Sequence, residues 1–323
     1  MKIFLAVTID TECDKGVNWI VKQPLSFSNV IKGIKKSLVP LFEKYNISPT
    51  YLLSPEVIDD DQSCEILQSF GGNVELGTHL HSEFIAPNSN FNSLTSKEMQ
   101  CDLEASIERK KIINLTEKFI SRFGYSPKSF RSGRFGISEN TLKILEELKY
   151  EVDSSISPHK YWISKKNNLV NHIDSSLQPY FPSIDNYKKN GSMKILEFPV
   201  TIVDPFWLKC PIFIKKRFNP KNRYHHILKN IFFNSSPIWL RPTYSNPNQI
   251  KIMIDSLVNY INSDVIFLCM MFHSNEFYYN TSPYVKDTND LNRLIIKLDE
   301  IFNLINKTYN VNSLKLSDII DYV

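Results

Sequence analysis

The feature that most constrains the fold is a repeated figure: a short apolar run that stops at a charged or imidazole-bearing residue. KIFLAVTID stops at Asp10, NVELGTHLH at His79 and His81, KSFRSGR at Arg131 and Arg134, and DVIFLCMMFH at His273. Apolar runs without alternation mark strands buried on both faces. PTYLLSP, EVDSSIS and MKILEFPVTI read as further strands, and NSLKLSDII closes the chain. Helical spacing fills the gaps at 28–45 (with Pro40 set to kink it), 60–70, 138–150, 248–263 and 289–306. A long amphipathic helix is expected over 93–124, from a Ser/Thr capping signal to Gly124. Strand–helix alternation predicts an α/β fold, with a parallel sheet or barrel flanked by helices. Residues 159–192 are polar, aromatic and loop-like, and 204–244 are mixed and rich in Pro and aromatics. With no repeat, low-complexity tract or linker, residues 1–323 are expected to form one domain, carrying an irregular aromatic-rich insertion around 159–245.

Composition narrows the function. At 323 residues, 42% hydrophobic and 22% charged, the chain has the balance of a soluble protein with a sizeable core. Its basic runs (IKKSL, ERKKI, SKKN, YKKN, IKKRF) are short and scattered, so the net charge of +4 reads as solvated helix faces. Without a basic stripe, no nucleic-acid partner is expected. The start has one lysine and an apolar run that meets Asp10, unlike a signal peptide. No run approaches the roughly 18 apolar residues that span a bilayer. The five cysteines are odd in number, far apart and in no CxxC pair, which suggests neither a disulfide framework nor a cysteine zinc site. Reduced thiols and a cytoplasmic location are the expectation.

In α/β folds the working side chains gather at the carboxyl ends of parallel strands. Four strand ends here supply Asp10, Glu12 and Asp14; His79, His81 and Glu83; Arg131 and Arg134; and His273, Asn275 and Glu276. Imidazoles and a carboxylate can hold a divalent ion with an open position. A second carboxylate can accept a proton from water, a separate histidine can protonate a leaving group, and an arginine can keep the carboxylate ionised. Such a set is equipped to hydrolyse an amide or ester.

The order TIDTE, GTHLHS, FRSGRFG and FHSNEF resembles the polysaccharide deacetylase family, also called the NodB-homology domain or carbohydrate esterase family 4. It is nearest a divergent subgroup that resembles proteins of lipopolysaccharide and capsule gene clusters. YEVDSSISP, LEFPV, WLRP and FHSNEFYYNTSPY are also similar to that subgroup, so the resemblance runs from Thr8 to about Tyr284. It implies an irregular, seven-stranded parallel (β/α) barrel and a divalent metal: Zn2+ first, with Co2+, Mn2+ or Ni2+ as alternatives. It implies an acetylated sugar or glycan intermediate as substrate. It places Asp10 on the catalytic base, Arg131 on the arginine that orients the base, and His273 on the general acid. His79 falls on the first metal histidine. The usual metal Asp is replaced by Thr11 and the usual second metal histidine by Glu83. Glu12 and His81 are the substitutes, since residues two apart on an extended segment face the same way, with Glu83 in reserve. Arg134, Phe135 and Glu276 are implied at the substrate.

Blander readings stand beside these. An isolated H-x-H is also a structural hydrogen-bonded pair, and Arg131 also a plain ion-pair partner of Asp10. Asp153, Ser154 and Ser155 fit loop capping, and Glu197 with Pro199 fits shaping of the rim. Trp162, Trp207 and Trp239 suit either a sugar-stacking cleft or the core. His225 and His226 read as surface, and His159 and His172 have no partner in sequence.

Overall fold

The computed structural model describes residues 1–16, 19–90, 98–217, 236–261 and 263–323. Its strands are β1 (Lys2–Thr11), β2 (Pro49–Leu53), β3 (Glu75–Leu80), β4 (Ser129–Ser132), β5 (Val152–Asp153), β6 (Tyr161–Ile163), β7 (Leu169–Asn171), β8 (Leu196–Glu197), β9 (Ile202–Val203), β10 (Ile238–Trp239), β11 (Val265–His273) and β12 (Asn310–Leu314). Seven of them pair in parallel in the order β11-β1-β2-β3-β4-β5-β8, curling into the expected (β/α) barrel. The eighth, β12, lies beside the first half of β1 (Lys2–Ala6), and β2 takes over the same edge from Val7 to Thr11.

Among the described residues the barrel does not close strand to strand between β8 and β11. Gln178 bridges the gap instead: its Oε1 accepts from Phe267 N (2.8 Å) and its Nε2 donates to Phe267 O (3.0 Å). Thr201 N donates to Cys269 O (2.9 Å), Thr201 Oγ1 accepts from Cys269 N (2.8 Å), and Met271 N donates to Leu240 O (3.2 Å).

Period-two alternation along β1 explains how an apolar run can carry polar cargo. Ile3, Leu5, Val7 and Ile9 pack outward with the helices, as do Ile266, Leu268, Met270 and Phe272 of β11. Phe4, Ala6, Phe267, Cys269 and Met271 form the inner cluster. Each such buried Leu, Ile or Phe contributes about 1.5–3 kcal/mol. Continuing the inner parity beyond this apolar plug leads to Thr8 and Asp10 on β1 and to His273 on β11. The register sets Asp10 beside His273, and on the neighbouring strands His79 beside Arg131.

Several expectations need correction. The long helix spans Ala105–Phe123, capped as expected by Gly124 at φ 80, but it does not begin at the Ser/Thr signal. Met99–Leu103 turns instead, because buried Gln100 reaches across to Glu108 Oε1 (3.1 Å) and to the Ser132 hydroxyl. The first residues of that expected helix, and His225 and His226, lie outside the described residues. Around Pro40 the winding changes, from a π-helix over Asn29–Leu38 to an α-helix over Val39–Tyr45. MKILEFPVTI is two strands, β8 and β9, parted at Pro199, which has no N–H to give a ladder. The loop-like stretch 159–192 contains the antiparallel pair β6–β7. All five cysteines are free thiols. Among the described residues, no helix is long and apolar enough to cross a membrane.

Candidate metal centre and cleft

Three side chains converge at the mouth of the barrel. Glu12 Oε1 lies 2.7 Å from His81 Nε2 and 3.1 Å from His79 Nε2. The candidate ligand atoms of Glu12, His79 and His81 all fall within 4.8 Å of one another, and the three residues are buried. Behind this face, His79 Nδ1 donates to the Arg131 carbonyl (3.0 Å), which fixes the tautomer and turns the Nε2 lone pair to the centre. His81 Nδ1 looks toward Glu83 Oε1 at 3.4 Å. Two imidazole lone pairs and a carboxylate oxygen repel unless a cation or a proton sits among them. Two nitrogens and one oxygen with space for a further ligand are the donor set of a catalytic zinc site, so the residues present fit a divalent ion.

Thr11 and Glu83 are not part of this face. Thr11 Oγ1 donates to Ile9 O (3.0 Å) and is turned away. Glu83 pairs with Arg134 through both oxygens (2.5 and 3.2 Å). Burial opposes its ionisation, but His81 and then Arg134 outweigh burial and hold the carboxyl low. Gly133 permits this crossing. A Cβ there would meet Leu80 O at 2.5 Å and the His81 ring at 3.3 Å, so only glycine lets this loop close over the end of β3. The next two residues, Arg134 and Phe135, hold positive φ (57 and 53), uncommon for non-glycine side chains.

Beside the centre, Asp10 Oδ1 accepts from Arg131 Nη1 (2.7 Å), and its Oδ2 faces His79 Nε2 at 3.8 Å and His273 Nε2 at 3.9 Å. Burial opposes ionisation of Asp10, yet Arg131, with the two histidines, keeps its carboxyl below the ordinary range. Arg131 is fully buried and held at several points: Nε donates to Ser154 O (2.8 Å), and Nη2 to Ser154 Oγ (2.8 Å) and Thr8 Oγ1 (2.9 Å). VDSS is therefore more than loop capping, since Ser154 seats the guanidinium. Its neighbour Asp153 lies beside Glu197. Burial first, then Asp153, raises Glu197 well above the usual carboxyl range, and burial raises Asp153 as well, so the buried pair does not shape the rim as two ions.

On the other wall, His273 Nδ1 lies 2.9 Å from Glu276 Oε1 and 3.1 Å from Arg241 Nη2. Glu276 also pairs with Arg241 and accepts from Thr243 Oγ1 (2.7 Å). It is fully buried behind His273 and does not line the cleft, where Arg134 and Phe135 do. Burial opposes its ionisation, but Arg241 and His273 bring its pKa down to about 2. Asp14 serves structure: it accepts from Ser28 N (2.9 Å) and Asn29 N (3.0 Å). Asn275 is buried in the turn Ser274–Phe277.

Sequence reasoning missed three contributors. Lys15 forms an ion pair with Glu12 Oε2, three residues along, a spacing that could have signalled it. Arg241, within WLRP, comes from an irregular segment with no period to read. Trp19 sets its ring 5.3 Å from that of His273. The cleft above has a volume of about 750 Å³. Phe135 and Trp162 stack in it (5.7 Å, 14°), with Trp239 edge-on to Trp162 at 6.4 Å. Trp162 and Trp239 thus line the cleft, whereas Trp207 is core. His172 is buried, accepts from Ser157 N (3.1 Å), and is kept neutral as burial lowers its pKa to about 3; His159 is also buried.

A barrel of this order, with its polar residues at the strand ends, is the fold of the polysaccharide deacetylases. No protein-family model matches the sequence, and no curated protein matches it. Among solved structures, a chain assigned as a polysaccharide deacetylase from Mycobacterium smegmatis is similar at a TM-score of 0.56 and 14% identity, covering 99% of this chain and 90% of that one. The PuuE allantoinase follows at 0.54 and 11%, covering 99% and 89%. A chain assigned as a polysaccharide deacetylase from Pseudomonas aeruginosa PAO1 has 0.50 and 12%, covering 99% and 89%. At these identities the likeness is one of fold.

Proposed function

We propose that residues 1–323 form one catalytic domain that removes an acetyl group from an N- or O-acetylated sugar in cell-surface polysaccharide or lipopolysaccharide biosynthesis. The observation that carries this reading is the convergence of Glu12, His79 and His81 beside the Asp10–Arg131 pair and His273. Glu12, His79 and His81 would hold a divalent ion, zinc first by donor type. A divalent ion there supplies Lewis acidity to an acyl oxygen and a water. Asp10, kept ionised by Arg131, takes the proton of the attacking water as the C–O bond forms. His273, its Nδ1 against Glu276, presents Nε2 and gives a proton to the departing nitrogen or oxygen as its bond to the acyl carbon breaks. Acetate and the free sugar amine or hydroxyl result. Trp162, Trp239 and Phe135 offer apolar faces to a sugar ring, and Arg134 a cation at the rim.

A second reading, hydrolysis of a non-sugar C–N bond, is favoured by the fold likeness to an allantoinase. Acetate release from acetylated sugars, offered free, nucleotide-linked and lipid-linked, separates the two. About one divalent ion per chain by elemental analysis, with acetate release, supports the first reading. Absence of metal after soaking in zinc would overturn both and leave a glycan-binding protein of the same fold.

A further inference from the structure

Counted by window, the positive charge is not scattered as the short basic runs suggest. Of the chain's 38 Lys and Arg, nine lie in residues 205–254, which contain none of its 34 Asp and Glu. The rest of the chain is therefore net negative. The segment opens with two short described helices, Pro205–Leu208 and Ile212–Arg217. Asp204 Oδ1 caps the first by accepting from Trp207 N (3.0 Å). Trp207 and Cys210 are buried against Ile173, with Tyr161 and Ile214 packed beside them, so the pair of helices has a firm base. From that base Phe206 (50% exposed) and Phe213 (64% exposed) project into solvent, with Lys209 and Arg217 also exposed. The segment leaves β9, whose partner β10 carries Ile238 and Trp239 of the cleft wall. The phenylalanines therefore follow in sequence directly on the strand that pairs with part of the cleft wall.

We propose that this surface, Phe206, Lys209, Phe213 and Arg217, docks the protein on an anionic phospholipid membrane face. Phenylalanine carries no hydrogen-bonding group, so a protruding ring flanked by cations is well matched by acyl chains just below anionic headgroups. Cations set among such rings meet the anionic headgroups, and each one near the surface strengthens binding. Two rings and a few cations give reversible attachment, in keeping with the absence of a spanning helix among the described residues. The inference is independent of turnover and of metal content.

The test is co-sedimentation of the full chain with vesicles of phosphatidylcholine alone and of phosphatidylcholine mixed with phosphatidylglycerol. Binding to the mixed vesicles only, weakening with salt, is expected. The double variant Phe206→Ser/Phe213→Ser should lower partitioning by about 10-fold or more, and Lys209→Glu/Arg217→Glu by a similar factor. Unchanged thermal midpoints show that both variants are folded. No binding to anionic vesicles, or equal binding by the phenylalanine variant, overturns the proposal. Binding to homopolymeric RNA that needs the same phenylalanines, without vesicle binding, also overturns it and assigns the surface to nucleic acid.

Discussion

The two walls of the cleft are built differently. The wall of Asp10, Glu12, His79, His81 and Arg131 stands on β1, β3 and β4, regular strands in a single parallel ladder. The wall of His273 joins one strand end to Arg241 and Thr243, which come from an irregular segment. On the first wall side-chain direction follows from strand parity. On the second it depends on an ion pair formed between distant parts of the chain. Strands fix positions cheaply, whereas the irregular wall needs its buried charges matched to exist at all.

Substitutions can break this contrast. The largest effect is expected for His79→Ala and His81→Ala, each of which should abolish bound metal by elemental analysis and turnover with it. Metal retained in either variant would remove that histidine from the centre. Asp10→Asn should lower turnover by about 1,000-fold while keeping the metal, because only the proton acceptor is lost; acetate release reads the first and elemental analysis the second. Arg241→Leu probes the other wall. It strands the Glu276 carboxylate in the interior and should cost about 3–5 kcal/mol in urea unfolding, with most of it recovered in Arg241→Leu/Glu276→Leu. A small loss would mean that the irregular wall does not depend on its ion pair.

The smallest effect belongs to the buried Asp153–Glu197 pair on β5 and β8. Glu197 has its pKa raised in the fold, so its protonated form is the stable one. Its contribution is full below its ordinary value near 4.5 and is lost as pH rises through the raised value. Above 4.5 the wild type should lose stability relative to Glu197→Gln, by at most about 1.4 kcal/mol per pH unit. Parallel unfolding curves of the two proteins across that range would show that the fold does not raise Glu197.

The same contrast explains what could be read from the sequence. β1 and β11 were legible because a run buried on both faces leaves no choice of element, and a polar residue at its end has one place to point. The H-x-H of β3 was legible for the same reason. Arg241 was not, since nothing in WLRP says that the guanidinium folds back under a histidine 32 residues on. The helix start at Ala105 was not legible, since the capping signal at Ser93–Thr95 pointed earlier and lies outside the described residues, while the buried side chain of Gln100, in the turn at Met99–Leu103, is engaged with Glu108. Glu276 looked like a cleft residue because sequence shows proximity to His273 but not which side of it the carboxylate takes.

The gap between β8 and β11 gives the barrel the character of a hoop with a clasp. On its β1 side, β11 is held by a continuous ladder from Lys2 to Asp10. On the other side its amides rest on the side chains of Gln178 and Thr201 and on one loop carbonyl. A clasp of this sort loosens without unthreading the ladder, and local opening follows the weakest bonds. Opening on that side therefore starts at those side-chain bonds, while the ladder that sets His273 beside Asp10 is left intact.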